Sequence, residues 1–128
     1  MSFFVSKGKS NKNWKGGEFI YGWVYNKMIK AAEKRKHHFD ISMTYLEDLF
    51  IWQEKKCALS GLPLGFGRDS KSTTASLDRI DSSVGYIEGN VQWVHKDVNM
   101  MKQQLGNCQF IEYCRLVANN PNNRCPNE

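Results

Sequence analysis

The chain alternates between stretches in which apolar residues follow helical spacing and shorter stretches with strand-like alternation. Apolar residues recur every three or four positions between residues 20 and 36, which predicts a first helix. Residues 37–41 lack this spacing and are expected to form a short extended link. Ser42 stands directly before a second apolar stripe that ends at about residue 53, and a serine in that position can cap a helix N-terminus.

The pattern changes after the second predicted helix. Residues 57–64 form two short apolar pieces around a turn, and residues 75–80 alternate as a strand does. Residues 81–90 contain two glycines and predict a loop. A third helix is predicted over about 92–105 and a fourth over about 109–118, with Cys108 and Cys114 in or beside its core. With no internal repeat, residues 16–128 predict one domain, and residues 1–15, rich in Ser, Lys, Asn and Gly, predict a flexible basic arm.

Charge is unevenly distributed along the chain. The formal net charge is +5, yet residues 1–36 hold nine of the 18 Lys and Arg residues and two of the 13 acidic ones. Such a basic segment favours a polyanionic partner such as DNA, although a solvated, solubilising face would have the same composition. His37 and His38 follow this segment and are interpreted as an extension of the basic face. The candidate DNA contacts are Lys15, Lys27, Lys30, Lys34, Arg35, Lys96 and Lys102.

Several classes of protein are not favoured by the sequence. Apolar runs last only a few residues, so no membrane span is expected, and the first residues do not resemble a signal peptide. The interpretation is a cytoplasmic protein, in the host cytoplasm if a phage encodes it, with four reduced cysteines. Those cysteines include no CxxC pair, so a four-thiolate zinc site is not expected.

The predicted third helix carries the first candidate chemistry. Val94, Val98, Met101 and Leu105 would form an apolar face, and His95, Asn99 and Lys102 would form the neighbouring polar face at i, i+4 and i+7. That polar stripe can hold a cation and a phosphate, but a solvated helix face has the same pattern.

Asp78 on the predicted strand favours the interpretation of the polar stripe as a metal site over that of a solvated helix face. Its neighbours Leu77 and Ile80 should be buried, so its carboxylate needs a partner. A structural ion pair with Arg79 is one interpretation. The other is a site in which Asp78 faces His95 and Asn99 and holds one divalent metal ion, Mg²⁺, Mn²⁺, Ni²⁺ or Zn²⁺.

Three stretches of the sequence resemble HNH (ββα-metal) endonucleases common in phages and mobile elements. They are CALSGLPL at 57–64, ASLDRID at 75–81 and GYIEGNVQWVHKDVNMMK at 85–102, and NWKG at 13–16 and FDIS at 39–42 also look similar. The resemblance implies an α+β fold with a ββα core at about 55–106 and flanking N-terminal and C-terminal helices. It also implies metal-dependent hydrolysis of DNA, by nicking as a monomer or double-strand cleavage as a homodimer.

The resemblance also implies roles for individual residues. Asp78 and Asn99 match metal ligands, Asn90 matches the asparagine that pins the loop, and His95 lies where some members have another ligand. The cation of such enzymes stabilises the pentacoordinate phosphorane and the departing 3′ oxygen, while a base activates water.

The sequence departs from the family pattern at two positions. Arg79 occupies the place of the usual general base, histidine, and a guanidinium is better suited to clamping phosphate. The base is then His95, Tyr86 or solvent hydroxide, and His95 cannot use one nitrogen both as base and as metal ligand. Ser60 replaces the second cysteine of the knuckle that begins at Cys57, so structural zinc is not expected.

The missing histidine leaves a second functional class open. A DNA-binding module with a degenerate, non-catalytic HNH site would retain the fold and the basic surface without the base. An RNA-directed nuclease is less favoured, because nothing in the sequence resembles a single-strand stacking motif.

Overall fold

The computed structural model describes residues 17–126, so the predicted arm at 1–15, including Lys15, lies outside the described part of the chain. The elements in chain order are α1 (Gly22–Lys34), β1 (Phe39–Asp40), α2 (Met43–Trp52), β2 (Ala75–Arg79), β3 (Tyr86–Ile87), β4 (Val91–His95), α3 (Lys96–Lys102) and α4 (Asn107–Asn119). The fold is α+β, as predicted.

The two N-terminal helices begin and end close to where the sequence predicted. Ser42 caps α2, because its hydroxyl accepts a hydrogen bond from the Tyr45 backbone N–H at 3.1 Å. The helix α1 ends in a Schellman turn: the N–H of His37 bonds the carbonyl of Ala32, and the N–H of Lys36 bonds that of Glu33. Lys36 occupies the left-handed region at φ 61°, a position that usually belongs to glycine.

The strands form two small pairs. β1 and β3 are parallel, and β2 and β4 form an antiparallel ribbon in which Ala75 pairs with His95 and Asp78 pairs with Gln92. The helix α3 follows β4 immediately and packs on the ribbon. Because side chains alternate along a strand, Leu77 and Trp93 share one face of the ribbon, and Asp78 and Gln92 share the other.

The apolar face of the ribbon meets the helices in the core. Trp93 is fully buried, and its ring makes edge contacts with Phe50 and Phe66. Its indole N–H donates to the Leu46 carbonyl of α2 at 3.0 Å. A buried carboxylate, Glu47, accepts hydrogen bonds from the backbone of residues 19 and 20 and fastens the start of the described chain to α2.

Two predictions about the C-terminal half were wrong. The predicted helix 92–105 begins only at Lys96, because residues 91–95 form β4 and are buried on both faces of the ribbon for most of their length. In α4, Phe110 is the buried residue, while Cys108 and Cys114 are exposed rather than in a core. No helix within residues 17–126 has the length and apolar character needed to cross a membrane.

Candidate active site

A cleft of about 330 Å³ lies between α1 and the edge of β2 that has no strand partner in the described structure. Consecutive strand residues, Ala75, Ser76 and Leu77, line it, as expected where an edge rather than one face borders the space. The opposite wall consists of the α1 residues Trp23, Val24, Lys27, Met28 and Ala31, followed by Arg35. Its volume is in the range of ordinary ligand sites.

Three of the predicted DNA contacts surround this cleft. Lys27 and Arg35 reach it from α1 and its C-cap, and Lys96 reaches it from the first turn of α3. No carboxylate is among the described residues that line it. Lys30 and Lys34 are exposed on α1 but do not line the cleft. The cleft therefore has the positive character expected of a phosphate-binding surface.

A smaller polar cavity of about 60 Å³ adjoins the cleft. The two share Arg35, Leu77, Tyr86 and Asn99 as lining residues. The other walls of the cavity are His37, Asp78, Arg79, Ser82, Gln103 and Gln104. Two of the three predicted metal ligands, Asp78 and Asn99, are thus brought to one cavity at the border of a cationic cleft.

Asp78 is held by a buried ion pair. Its Oδ2 lies 2.9 Å from the Lys102 ammonium and accepts a hydrogen bond from Gln92 Nε2 at 3.0 Å. Lys102 is fully buried and also donates to the Arg79 carbonyl at 2.8 Å. The prediction of Lys102 as a DNA contact is therefore wrong: its ammonium faces inward, because Asp78 needs a counter-charge away from water.

Asn99 has a fixed orientation. The side-chain Nδ2 of Asn99 donates to the Ser76 hydroxyl at 2.6 Å, so the side-chain oxygen, Oδ1, is left to accept another partner. Similarly, both contacts of Asp78 go to Oδ2 and leave Oδ1 without a hydrogen bond among the described residues. These two oxygens are hard ligands of the type that Mg²⁺ or Mn²⁺ accepts alongside several waters.

His95 does not join Asp78 and Asn99. It pairs with Ala75 at the far end of the ribbon and projects from the opposite face to Asp78. Its Nδ1 caps α3 by accepting from the Asp97 N–H at 3.1 Å. The sequence placed His95 one helical turn before Asn99, but the strand extends through residue 95 and turns the side chain away. Without this imidazole, the case for Zn²⁺ or Ni²⁺ is weakened. No three His, Cys, Asp or Glu side chains between residues 17 and 126 form a metal-binding group.

Arg79 and Asn90 organise the loop between the strands. Arg79 is buried, donates to the carbonyls of Ser82 and Val84, and lies over the Tyr86 ring. Its remaining terminal nitrogen donates to the Gln104 side chain at 3.1 Å. Asn90 accepts from the Asp81 N–H and donates to three loop carbonyls. Asn90 is thus a positioning residue, and Arg79 supplies positive charge to the cavity wall while anchoring the loop.

His37 is a candidate site residue that the sequence did not indicate. The imidazole lines the small cavity with Asp78 and Asn99, and its Nδ1 is shielded from solvent without a hydrogen-bond partner in the described structure. Burial lowers the pKa of His37, and the positive charges of Arg79 and Arg35 lower it further. No local sequence signal connects residue 37 to residue 78, since they line one cavity only in the folded chain.

The comparisons with known proteins give one relative. A protein of Enterobacteria phage T4, named "Uncharacterized 29.0 kDa protein in dda-modA intergenic region", is 34% identical over 88 residues. The match covers 69% of the present chain but 34% of the phage protein, so the chain spans about a third of that relative's length. No protein-family model and no solved structure matches the chain.

Proposed function

We propose that this protein is a metal-dependent DNA endonuclease of the HNH (ββα-metal) type. The observation that carries the proposal is the meeting of Asp78 and Asn99 in one small cavity beside a cationic cleft. One residue comes from the first strand of an antiparallel ribbon and the other from the helix that follows the second strand. The sequence resemblance assigns these same two residues to the metal.

Asp78 and Asn99 would hold the divalent cation through one carboxylate and one amide oxygen. When bound, that cation would draw charge from the phosphate and stabilise the departing 3′ oxygen. Lys102 and Gln92 fix the Asp78 carboxylate, and Ser76 fixes the Asn99 amide, so both ligands are oriented before the metal binds. With only two protein oxygens, a hard cation that retains water ligands suits the site best.

The cleft would hold the DNA backbone. Lys27, Arg35 and Lys96 provide separated positive charges along it, and no acidic side chain opposes them within its described lining. Such contacts bind phosphates independently of sequence, and binding should weaken as salt rises.

Plasmid cleavage by wild type, Asp78→Asn and Asn99→Ala, in EDTA, Mg²⁺, Mn²⁺, Ni²⁺ or Zn²⁺, tests this proposal. We expect Mg²⁺- or Mn²⁺-dependent nicking or linearisation that falls by at least about 100-fold in each variant, because a metal contributes several kcal/mol to the transition state. Asp97→Asn on the same helix and Asn26→Ala on α1 are matched controls, as both residues are exposed and line neither cavity.

Thermal unfolding separates lost chemistry from lost structure. Asn99→Ala removes one hydrogen bond, to Ser76, and should cost about 1 kcal/mol, so it reports on the site even if Asp78→Asn unfolds. Wild-type activity that survives in Asn99→Ala and is independent of metal would contradict the proposal.

The buried ion pair favours a second candidate, a DNA-binding module without catalysis. Lys102 forms an ion pair with Asp78, and Arg79 donates hydrogen bonds to the loop. A protein with this fold that binds no metal would keep both of these contacts. In that case, wild type should bind DNA but should not cleave it in EDTA or with any of the four metal ions. Asn99→Ala should bind DNA as well as wild type does.

A further inference from the structure

His37 is positioned by the strained turn that ends α1. Lys36 at φ 61° reverses the chain, and the His37 N–H closes the turn on the Ala32 carbonyl at 2.8 Å. The imidazole consequently returns toward β2 and β3, where its ring centroid lies 6.2 Å from that of Tyr86. A non-glycine residue in the left-handed region costs about 1 kcal/mol or more, and such strain often accompanies functional sites.

The His37 ring carries an unexplained polar atom. Its Nδ1 is the buried side-chain nitrogen or oxygen that has no hydrogen-bond partner within residues 17–126. An unsatisfied buried polar group ordinarily costs about 1–3 kcal/mol, so its retention calls for a reason. The same imidazole lines the cavity that contains Asp78 and Asn99, and that cavity has room for a water molecule beside the side chains.

We propose that His37 is the general base of the reaction, supplied from the end of α1 instead of from the ribbon. The inference rests on the proposed nuclease function and adds the residue that the ribbon lacks. The ribbon has Arg79 in the position next to Asp78, and a guanidinium cannot accept a proton at neutral pH. His95 lies on the opposite face of the ribbon from Asp78, and the Tyr86 ring packs against the Arg79 guanidinium.

The groups around His37 favour its unprotonated form. Arg35 faces it from the C-cap of α1, Arg79 and Asp78 from β2, and Tyr86 from β3. Burial and then the two guanidinium groups move the pKa of His37 below the ordinary value of 6.5. At neutral pH the imidazole is therefore uncharged and can accept a proton, as a general base must.

The chemical step is a balanced hydrolysis. The lone pair on His37 Nε2 takes a proton from water as the water oxygen forms a bond to phosphorus, because Nδ1 is shielded from solvent. The bond between phosphorus and the 3′ oxygen breaks, and that oxygen keeps the electron pair and takes a proton from solvent. The products are a 5′-phosphate and a 3′-hydroxyl, and His37 then returns its proton to solvent.

The test compares His37→Ala with His38→Ala, the adjacent and exposed histidine, in full-length protein. With saturating plasmid and Mg²⁺, we expect kcat to fall about 100- to 10,000-fold in His37→Ala and to stay unchanged in His38→Ala. Wild-type kcat should rise with pH to a plateau, with the midpoint of the rise below pH 6.5 because the pKa is lowered, and His37→Ala should lose this acidic limb. Added imidazole should restore part of the activity of His37→Ala alone.

Three further outcomes would overturn the assignment. Unchanged kcat in His37→Ala, with wild type active, would refute the base and leave the nuclease standing. Weaker Mn²⁺ binding by His37→Ala would make the residue a metal ligand. Absence of cleavage by wild type under every treatment would refute both proposals together. If His37→Ala does not fold, His37→Gln replaces it, and an NMR titration of the wild-type ring should give a pKa below 6.5.

Discussion

At the Leu77–Trp93 pair, one face of the β2–β4 ribbon packs against aromatic rings, whereas at the Asp78–Gln92 pair the other face holds a buried ion pair. On the first face, Leu77 and Trp93 meet Phe50 and Phe66. On the second, Asp78 pairs with Lys102, and Asn99 is held by Ser76. Leu77, Trp93, Asp78 and Lys102 are all buried, yet burial has different energetic consequences for the apolar and the charged side chains.

The difference separates residues that stabilise the fold from residues that prepare a site. Burial of apolar area is favourable wherever it occurs, at roughly 25 cal/mol per Å². The attraction between the two charges of a buried ion pair seldom exceeds the free-energy cost of removing them from water, but the geometry of the pair is tightly fixed. The charged face therefore contributes orientation more than stability, and it is the face on which we expect function.

The largest expected effect is on the apolar face. Phe50→Ala should lower the free energy of unfolding by about 3–5 kcal/mol, because it removes a buried ring from between Phe19, Phe66 and Trp93. Urea unfolding measures the loss. The neighbouring, half-exposed Ile51→Ala should cost less than about 1 kcal/mol. Any cleavage activity per folded molecule should be unchanged, and a selective loss of activity would contradict the separation of the two faces.

The next effect is on the charged face. Lys102→Met should cost about 3 kcal/mol in urea unfolding, since it leaves the Asp78 carboxylate buried with only Gln92 as a donor. Asp78→Asn combined with Lys102→Met should recover much of that loss, because no unpaired charge remains. Lys96→Met, on the same helix at a partly exposed position, is the control. Equal stability of wild type and Lys102→Met would mean that the ion pair does not hold Asp78.

The smallest expected effect is an increase in the free energy of unfolding. Lys36→Gly should raise the free energy of unfolding by about 0.5–1 kcal/mol, because glycine adopts φ 61° without steric strain. Lys34→Gly, inside the last turn of α1, should instead destabilise by about 1 kcal/mol. Both can be read from thermal melts. Destabilisation by Lys36→Gly would show that the Lys36 side chain contributes more than its backbone costs.

Local signals in the sequence predicted much of the fold. The Ser42 cap and the apolar stripes of α1 and α2 depend on residues a few positions apart, so they can be recognised without the rest of the chain. β4 was missed because Val91, Gln92, Trp93 and Val94 are all buried, and a strand covered on both sides loses its alternation. The helical spacing from Val94 to Val98 then extended the predicted helix backwards through the strand.

The site was less predictable than the fold. Asp78 and Asn99 were found through their resemblance to known motifs, and the structure places them on one cavity. Lys102 was assigned to the surface because its burial depends on a carboxylate 24 positions earlier, which helical periodicity cannot reveal. His37 looked like part of a basic run because it shares a cavity with Asp78 only through the tertiary fold, which no local pattern reveals.

The attachment of α2 to the ribbon limits how this unit can be moved between proteins. Gln53 exchanges two hydrogen bonds with the Trp93 backbone, and Leu46 accepts the Trp93 indole N–H. A fragment cut at residue 55 would expose the Trp93 ring and lose these partners, although it would contain both strands and α3. Recombination that transfers the ribbon between genes would conserve the fold only by carrying α2 with it. The portable unit therefore begins no later than Ser42, the residue that caps that helix.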